Sequence, residues 1–189
     1  AEAPPTAIHH RLHALGAHLS AEERQAVADG LLIQPLIGSL PNIMAPEWFD
    51  GLKRAAEGRR LMVLDTLRRF HIEEENASGP MAQVIGRMEA IAADTGCSIV
   101  FLHHASKGAA MMGAGDQQQA SRGSSVLVDN IRWQSYLSSM TSAEAEEWGV
   151  DDDQRRFFVR FGVSKANYGA PFADRWFRRH DGGVLKPAV

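Results

Sequence analysis

Cysteine is almost absent from this chain of 189 residues, since Cys97 is the only one. A single thiol forms neither an intrachain disulfide nor a cysteine zinc cluster, so we expect a protein of the reducing cytoplasm. The sequence has no signal peptide and no run of about 18 apolar residues, and therefore gives no support for membrane insertion. We expect no membrane partner.

A surplus of positive charge is also missing, because 20 basic side chains stand against 23 acidic ones for a net charge of −3. Proteins that coat nucleic acid with their whole surface are usually basic. Any DNA contact must therefore come from basic groups concentrated in one place, for example around a channel. The hydrophobic content of 44% suits one globular domain with a sizeable core.

The beginning of the chain has no initiator Met and runs from Pro4 and Pro5 almost directly into a helical pattern. We expect the chain to begin inside a domain. Apolar spacing predicts a helix over residues 5–15 and another over 45–56, with Trp48, Leu52 and Ala55 or Ala56 facing inward. A capping box at Ser20 predicts a helix that stops near Gly30. Residues 31–33 are a candidate short strand.

A βαβ unit is predicted in the middle of the chain. Residues 61–65 are an apolar run that ends in a carboxylate, typical of a parallel strand that is covered on both faces, and residues 97–102 are a second strand of the buried type. Residues 81–93 form the predicted helix between them, ended by Thr95 and Gly96. The glycine-rich stretch 108–123 is long for a connection and is expected to be functional. Residues 131–138, 155–165 and 174–180 then predict antiparallel strands, so the sequence indicates an α/β domain with a mainly parallel central sheet, an antiparallel extension and flanking helices.

Asp65 is the first candidate for chemistry. Ligands of open α/β sheets bind beyond the carboxyl ends of the strands, and four apolar residues place this carboxylate there. The pattern fits a Walker B aspartate that holds Mg²⁺, and it equally fits a structural Asp that caps the next turn.

His104 ends the neighbouring strand, where it can sense a γ-phosphate or act as a hydrogen-bonded histidine at a sheet edge. His103 points to the opposite face, so the two histidines cannot share one metal without a bulge. His9 and His13 have a metal-compatible i, i+4 spacing without a third ligand nearby, and are interpreted as solvent-facing. Arg132, near the start of an antiparallel strand, is either a surface cation or a group that reaches a neighbouring subunit's phosphate site.

Taken together, these stretches resemble the RecA-like ATPase core of RepA-type hexameric replicative helicases of plasmids. The signature stretches are LMVLDT at 61–66, FLHH at 101–104, RGSS at 122–125, DNIR at 129–132 and SKANY at 164–168. The resemblance covers essentially all of residues 1–189, as one RecA-like core truncated before Glu2. It is the order of these stretches in one chain that is specific.

The resemblance implies a role for each matching position. Glu2 matches the catalytic glutamate that polarises water, Asp65 the Mg²⁺ ligand and His104 the γ-phosphate sensor. Arg132 matches the arginine finger, and Lys165 is implied to face the same nucleotide site. The segment 105–121 matches the loop that faces single-stranded DNA, so Lys107 within it and Arg122 directly after it become candidate DNA contacts. The implied cofactors are ATP and Mg²⁺; the implied partners are single-stranded DNA, a hexameric ring of identical subunits and plasmid replication proteins.

The chain departs from the family pattern at two points. It has no phosphate-binding loop of the form GxxxxGK[ST], whose backbone amides and Lys cradle the β- and γ-phosphates. Ala3 also stands where related proteins often carry an acidic residue. We therefore expect hydrolysis by the full-length protein and little by this chain alone. The alternatives are a RecA-like regulatory or DNA-binding module without hydrolysis, and a single-strand-binding recombinase that forms filaments.

Overall fold

The computed structural model describes residues 3–104, 125–170 and 172–188 of the chain. The helices are α1 Pro5–Gly16, α2 Ala21–Gly30, α3 Pro46–Ala56, α4 Ser78–Thr95, α5 Ser125–Asn130 and α6 Ser142–Trp148. The strands are β1 Leu61–Leu64, β2 Ser98–Phe101, β3 Trp133–Ser139, β4 Phe158–Ala166, β5 Arg175–Arg179 and β6 Leu185–Pro187. Three short 3₁₀ turns lie at Leu67–Arg69, Arg155–Phe157 and Asp181–Gly183.

The ends of the helices follow from local sequence. Proline at the start of α1 and of α3 supplies the fixed backbone angle that a first helical turn uses. At the start of α2, the Ser20 hydroxyl accepts from the Glu23 amide at 3.1 Å, and the Glu23 carboxylate accepts from the Ser20 amide at 2.7 Å. This is the predicted capping box. The left-handed Gly96, with φ of 71°, ends α4 and starts the turn into β2.

Two sheets organise the described residues. Strands β1 and β2 are parallel, with Leu61 opposite Ser98 and Leu64 opposite Phe101. Strands β3, β4, β5 and β6 form an antiparallel sheet in that order. The parallel centre and the antiparallel extension predicted from the sequence are both confirmed.

The hydrophobic core lies between the parallel strands and α4, which also packs against α3 and α5. Helix α4 supplies five of its buried side chains at the 3–4 residue spacing of one helical face. The core comprises Ile43, Ala56, Leu64, Leu67, Phe70, Met81, Val84, Ile85, Met88, Ile91, Cys97 and Leu127. It fixes the two parallel strands against their crossover helix and so fixes the positions of the strand ends.

Two expectations about strands are wrong. No strand forms at residues 31–33, which are exposed and lack a neighbouring chain segment to pair with among the described residues. The parallel strands are also not covered on both faces by the described residues. Leu61 is 54% exposed and Val63 is 53% exposed, while Leu64 on the α4 side is buried.

Among the described residues, no helix has both the length and the apolar character needed to span a bilayer.

Candidate nucleotide site

The carboxyl ends of β1 and β2 form one edge of the parallel sheet. Backbone pairing continues past both strands, since the Leu102 amide donates to the Leu64 carbonyl at 3.0 Å and the Leu67 amide to the Leu102 carbonyl at 2.8 Å. Asp65 follows β1 directly and is exposed, and the peptide bond after it is cis. His104 follows β2 and is also exposed. The structure therefore brings these two predicted residues to the same edge.

A small open pocket of about 140 Å³ lies at this edge. It is lined by Thr66, Arg68, Glu75, His103 and His104. Thr66 is only 6% exposed, and its hydroxyl oxygen has no hydrogen-bond partner among the described residues. A buried hydroxyl normally finds a partner, because leaving it unpaired costs free energy. The residues that line the pocket thus carry a guanidinium, a carboxylate and two imidazole groups, with the buried hydroxyl of Thr66 among them.

His103 and Glu75 tie the loop after β1 to the end of β2. The His103 Nε2 lies 3.5 Å from Glu75 Oε1, and the two side chains are 11% and 21% exposed. Burial lowers the pKa of His103, and the negative charge of Glu75 opposes that shift. The side chain is therefore neutral at neutral pH, and the contact is a hydrogen-bonding interaction more than a full ion pair. Glu75 thereby lies close to the residue that precedes His104.

Arg132 lies in a different cleft, of about 240 Å³, beside the start of β3. Its Nη1 donates to the Asn130 carbonyl at 3.2 Å, and its own carbonyl accepts from the Asn167 amide at 3.0 Å. Exposed Trp133 and Tyr168 line the same cleft. Within one chain, Arg132 is therefore held beside β3 and β4, and it does not line the pocket at the end of β1 and β2.

Lys165 is part of the support for this region. Its ammonium donates to the carbonyls of Val128 at 2.7 Å and Asp129 at 3.2 Å, near the C-terminus of α5. A cation at a helix C-terminus is favourable because the last carbonyls have no partner within the helix. Its predicted contact with a nucleotide stays a prediction.

The comparisons with known proteins point to one class of domain. A family model described as an AAA domain matches residues 1–110, which is more than half of the chain. The chain belongs to the AAA domain family.

Two solved structures give the fold. The first is an ATPase domain, 13% identical with a TM-score of 0.51, and the match covers 74% of this chain and 49% of that one.

The second solved structure is a DnaB-like replicative helicase described with its interactions with primase. It is 13% identical with a TM-score of 0.50, over 74% of this chain and 33% of that chain. This AAA domain thus has the RecA-like α/β fold of replicative-helicase ATPase domains, which confirms the predicted fold class. The chain spans about half of one matched structure and about a third of the other.

Several predicted site residues of this AAA domain fall outside the described residues, namely Glu2, Lys107 and Arg122, together with the loop 105–121. Their roles stay predictions. His9 and His13 are exposed on α1, as the sequence indicated. Among the described residues, no three His, Cys, Asp or Glu side chains form a group suited to holding a metal ion.

The site still fits Mg²⁺ in the way that nucleotide enzymes use it. Magnesium is usually held by one or two carboxylates together with substrate phosphates and water, and does not need a complete protein cage. Asp65 is an exposed carboxylate at the strand end, and the unpaired hydroxyl of Thr66 lies next to it in the chain. These two residues of the AAA domain would hold the ion against a bound phosphate.

Sequence reasoning missed the contribution of the loop between β1 and α4. Thr66, Arg68 and Glu75 line the pocket, and His71 of the same loop is 3% exposed. The sequence feature that could have indicated this loop is the run of three glutamates at 73–75, soon after a candidate Mg²⁺ ligand. Three like charges in a short loop repel one another, so a positively charged or hydrogen-bonding partner is expected nearby. Which glutamate finds that partner depends on how the loop folds.

Proposed function

We propose that this chain is the core of an ATP-hydrolysing, ring-shaped DNA helicase of the RepA type, which unwinds duplex DNA during plasmid replication. One observation carries the proposal. Asp65 and His104 lie together at the carboxyl edge of the parallel strands, while Arg132 is held in a separate cleft. A site whose parts lie in two places on one chain is completed when a second copy presents its cleft to the first copy's edge.

The parts have distinct roles in this proposal. Asp65 would hold Mg²⁺ beside the phosphates of ATP, and the ion would supply positive charge that offsets the negative charge developed during hydrolysis. Glu2 polarises the attacking water. His104 contacts the γ-phosphate and registers its loss, and the contact between Glu75 and His103 sets the position of the backbone that carries it.

Arg132 acts on the nucleotide of the neighbouring subunit. A guanidinium that stabilises the transferring phosphoryl group is worth about 10³–10⁵ in rate in characterised enzymes, or roughly 4–7 kcal/mol of barrier. Lys165 supports this finger through α5, which precedes Arg132 in the chain, and it faces the same interface. Loss of the γ-phosphate at His104 is then passed to the adjoining segment 105–121, and Lys107 within it and Arg122 directly after it contact single-stranded DNA in the channel.

Two substitutions test the division of roles in the intact protein. Asp65→Asn is expected to weaken binding of Mg²⁺–ATP, because a neutral amide is a poor ligand for a hard cation. Glu2→Gln is expected to leave binding largely intact and to slow hydrolysis by about 10²-fold or more, because it removes the group that activates water. Nucleotide affinity is measured by calorimetry with and without Mg²⁺, and hydrolysis by phosphate release with single-stranded DNA present.

Asp50→Asn on α3 is the matched control, since it neutralises an exposed carboxylate that does not line the pocket at the strand ends. An equal loss of binding in Asp65→Asn and Glu2→Gln contradicts the assigned roles. Absence of any Mg²⁺-dependent hydrolysis by the unsubstituted protein, with and without DNA, supports the rival function of a RecA-like module that binds without hydrolysing.

A further inference from the structure

Positive charge in this protein is concentrated in its last part. Residues 154–189 contain eight Lys and Arg against two Asp and no Glu, whereas residues 1–153 contain 12 basic and 21 acidic side chains. The antiparallel strands β4, β5 and β6 lie within this basic part. The negative body of the chain repels a polyanion, so a contact with one is favoured only where the basic groups collect.

Some of these cations already have structural partners. Arg155 Nε lies 2.6 Å from Asp152 Oδ1, and Arg160 pairs with Glu144 at 3.2 Å and Asp174 at 3.6 Å. Arg156, Arg178 and Lys186 differ from these two arginines, because no carboxylate among the described residues lies within 4.0 Å of any of them, and the same holds for Arg175 and Arg179. We call Arg156, Arg178 and Lys186 the basic strip.

The register of the sheet places Arg178 beside Lys186, and Arg156 comes two residues before Phe158, the partner of Arg178 in β4. Arg178 is directly opposite Phe158 of β4 on one side and Lys186 of β6 on the other. Directly opposed side chains have Cβ atoms about 4.5–5.5 Å apart, and like charges in that position destabilise a sheet. Two unpaired cations at opposed positions are therefore a stability cost, which a negatively charged ligand would remove.

Aromatic rings hold the two guanidinium groups of the strip. Arg178 lies over the Phe158 ring at 5.7 Å and Arg156 over the Phe157 ring at 4.9 Å. Both arginines are exposed, while both rings are half-buried beneath them. A stacked guanidinium loses little freedom on binding and presents its N–H groups outward in the fork geometry that suits phosphate oxygens.

We propose that the basic strip of Arg156, Arg178 and Lys186 is a second DNA-binding surface, which contacts the sugar-phosphate backbone outside the segment 105–121. An opposed pair of cations, Arg178 and Lys186, and the exposed Arg156 just before β4 have no carboxylate partner among the described residues, which suits the repeated negative charge of a nucleic-acid strand. An anionic lipid surface fits less well, because membrane-surface elements present exposed apolar side chains beside their cations, and here the rings are half-buried beneath theirs. This surface does not depend on nucleotide hydrolysis.

The salt dependence of DNA affinity tests the proposal directly. Each phosphate contact contributes about 0.7 to the slope of log affinity against log salt for single strands and about 0.9 for duplex DNA. The triple variant Arg156→Ala, Arg178→Ala, Lys186→Ala is expected to reduce that slope by about 2 for single strands and nearly 3 for duplex DNA. Binding is followed by fluorescence anisotropy of labelled oligonucleotides with the intact protein and no nucleotide, so failure of ATP hydrolysis leaves the result readable.

The matched control removes three positive charges elsewhere, through Arg11→Ala, Arg54→Ala and Arg87→Ala. Arg87 is the closest match to the strip arginines, since it lies over the Phe49 ring at 4.6 Å. The control is expected to keep the original slope. The double variant Arg156→Lys and Arg178→Lys retains the charge and is expected to keep most of the slope. Lys186→Ala alone is expected to lower the slope by about 0.7 for single strands, and it serves as the test if the triple variant fails to fold.

Two results overturn the proposal. The first is the absence of a change in slope that is specific to the strip. An unchanged slope in a folded triple variant assigns DNA binding to another surface such as the segment 105–121, and an equal drop in the control assigns the effect to net charge. The other is strip-dependent binding to vesicles of phosphatidylglycerol and phosphatidylcholine with no strip-dependent binding to DNA, which assigns the surface to lipid.

Discussion

Two histidines, His71 and His103, have lowered pKa values in the folded protein. His71 is 3% exposed, and burial and then the positive charge of Arg68 lower its pKa. His103 behaves in the same way, with burial as the main cause and Glu75 in opposition. Both rings are therefore neutral in the folded protein at neutral pH.

We predict that acid destabilises the folded protein through these two rings. In the unfolded chain each imidazole takes up a proton near pH 6.5, whereas in the folded protein uptake occurs only at lower pH. The stability that the neutral rings contribute is thus complete above about pH 6.5 and is lost as the pH falls below it, by at most about 1.4 kcal/mol per pH unit for each proton. Urea unfolding at pH 7.5, 6.0 and 5.0 measures the effect.

His71→Asn is expected to reduce the fall in the free energy of unfolding between pH 7.5 and 5.0, because the substituted side chain takes up no proton. His9→Asn on the exposed face of α1 is the control and should leave the pH dependence unchanged. An identical pH profile for wild type and His71→Asn contradicts the assignment.

At the scale of the elements, a polar network holds β3, β4 and β5 together. The Tyr136 hydroxyl donates to Asp174 Oδ2 at 2.7 Å, and Arg160 lies over the rings of both Tyr136 and Trp176. Gly162 is opposite Tyr136 in the register. A Cβ added to Gly162 would meet the Tyr136 ring and the Asp174 carboxylate. The absence of a side chain at Gly162 therefore leaves room for the Tyr136 ring over the neighbouring strand.

Gly162→Ala is therefore expected to lower the free energy of unfolding by about 1–3 kcal/mol, as overpacking typically does. Gly86→Ala is the matched control, because Gly86 lies in α4, is exposed and has no atom within 4 Å of an added Cβ. That control should stabilise the protein by about 0.5–1 kcal/mol, since alanine loses less backbone freedom than glycine in a helix. Equal stability changes in the two variants contradict the packing explanation.

The elements that the sequence predicted well are those with strong local signals. The capping box at Ser20, the proline starts of α1 and α3 and the left-handed Gly96 are all set by neighbours in the chain. The strand predicted at 31–33 was wrong because a short apolar run becomes a strand only beside a partner, which periodicity does not supply. The predicted burial of Leu61 and Val63 was wrong for the same reason, since the burial of a side chain depends on what packs opposite it.

The candidate site divides along the same line. Asp65 and His104 were predictable because the strand places each residue at its carboxyl end. The pairing of Glu75 with His103 was not, because the loop that carries Glu75 has no periodic pattern. Nor does spacing indicate that Lys165 binds the carbonyls at the end of α5, 36 and 37 residues earlier in the chain.

At the scale of the whole molecule, the separation of Arg132 from the strand ends is the decisive feature. Under the proposed function one subunit supplies Glu2, Asp65 and His104, and its neighbour supplies Arg132. Arg132→Ala is then expected to keep ring assembly and nucleotide affinity close to wild type while hydrolysis falls by about 10³-fold or more. A merely structural Arg132, whose guanidinium donates to the Asn130 carbonyl, would instead shift the melting temperature slightly and leave turnover unchanged.

Mixing two inactive proteins tests whether the finger acts between subunits. Arg132→Ala and Glu2→Gln each lack a different half of the shared site, so some interfaces of a mixed ring pair an intact Glu2 with an intact Arg132. Activity measured by phosphate release should therefore return on mixing and depend on the mixing ratio. Energy transfer between labelled subunits first establishes that the rings exchange. With exchange established, a mixture as inactive as its components means that Arg132 and Glu2 do not meet across a subunit interface, and the shared-site mechanism is then wrong.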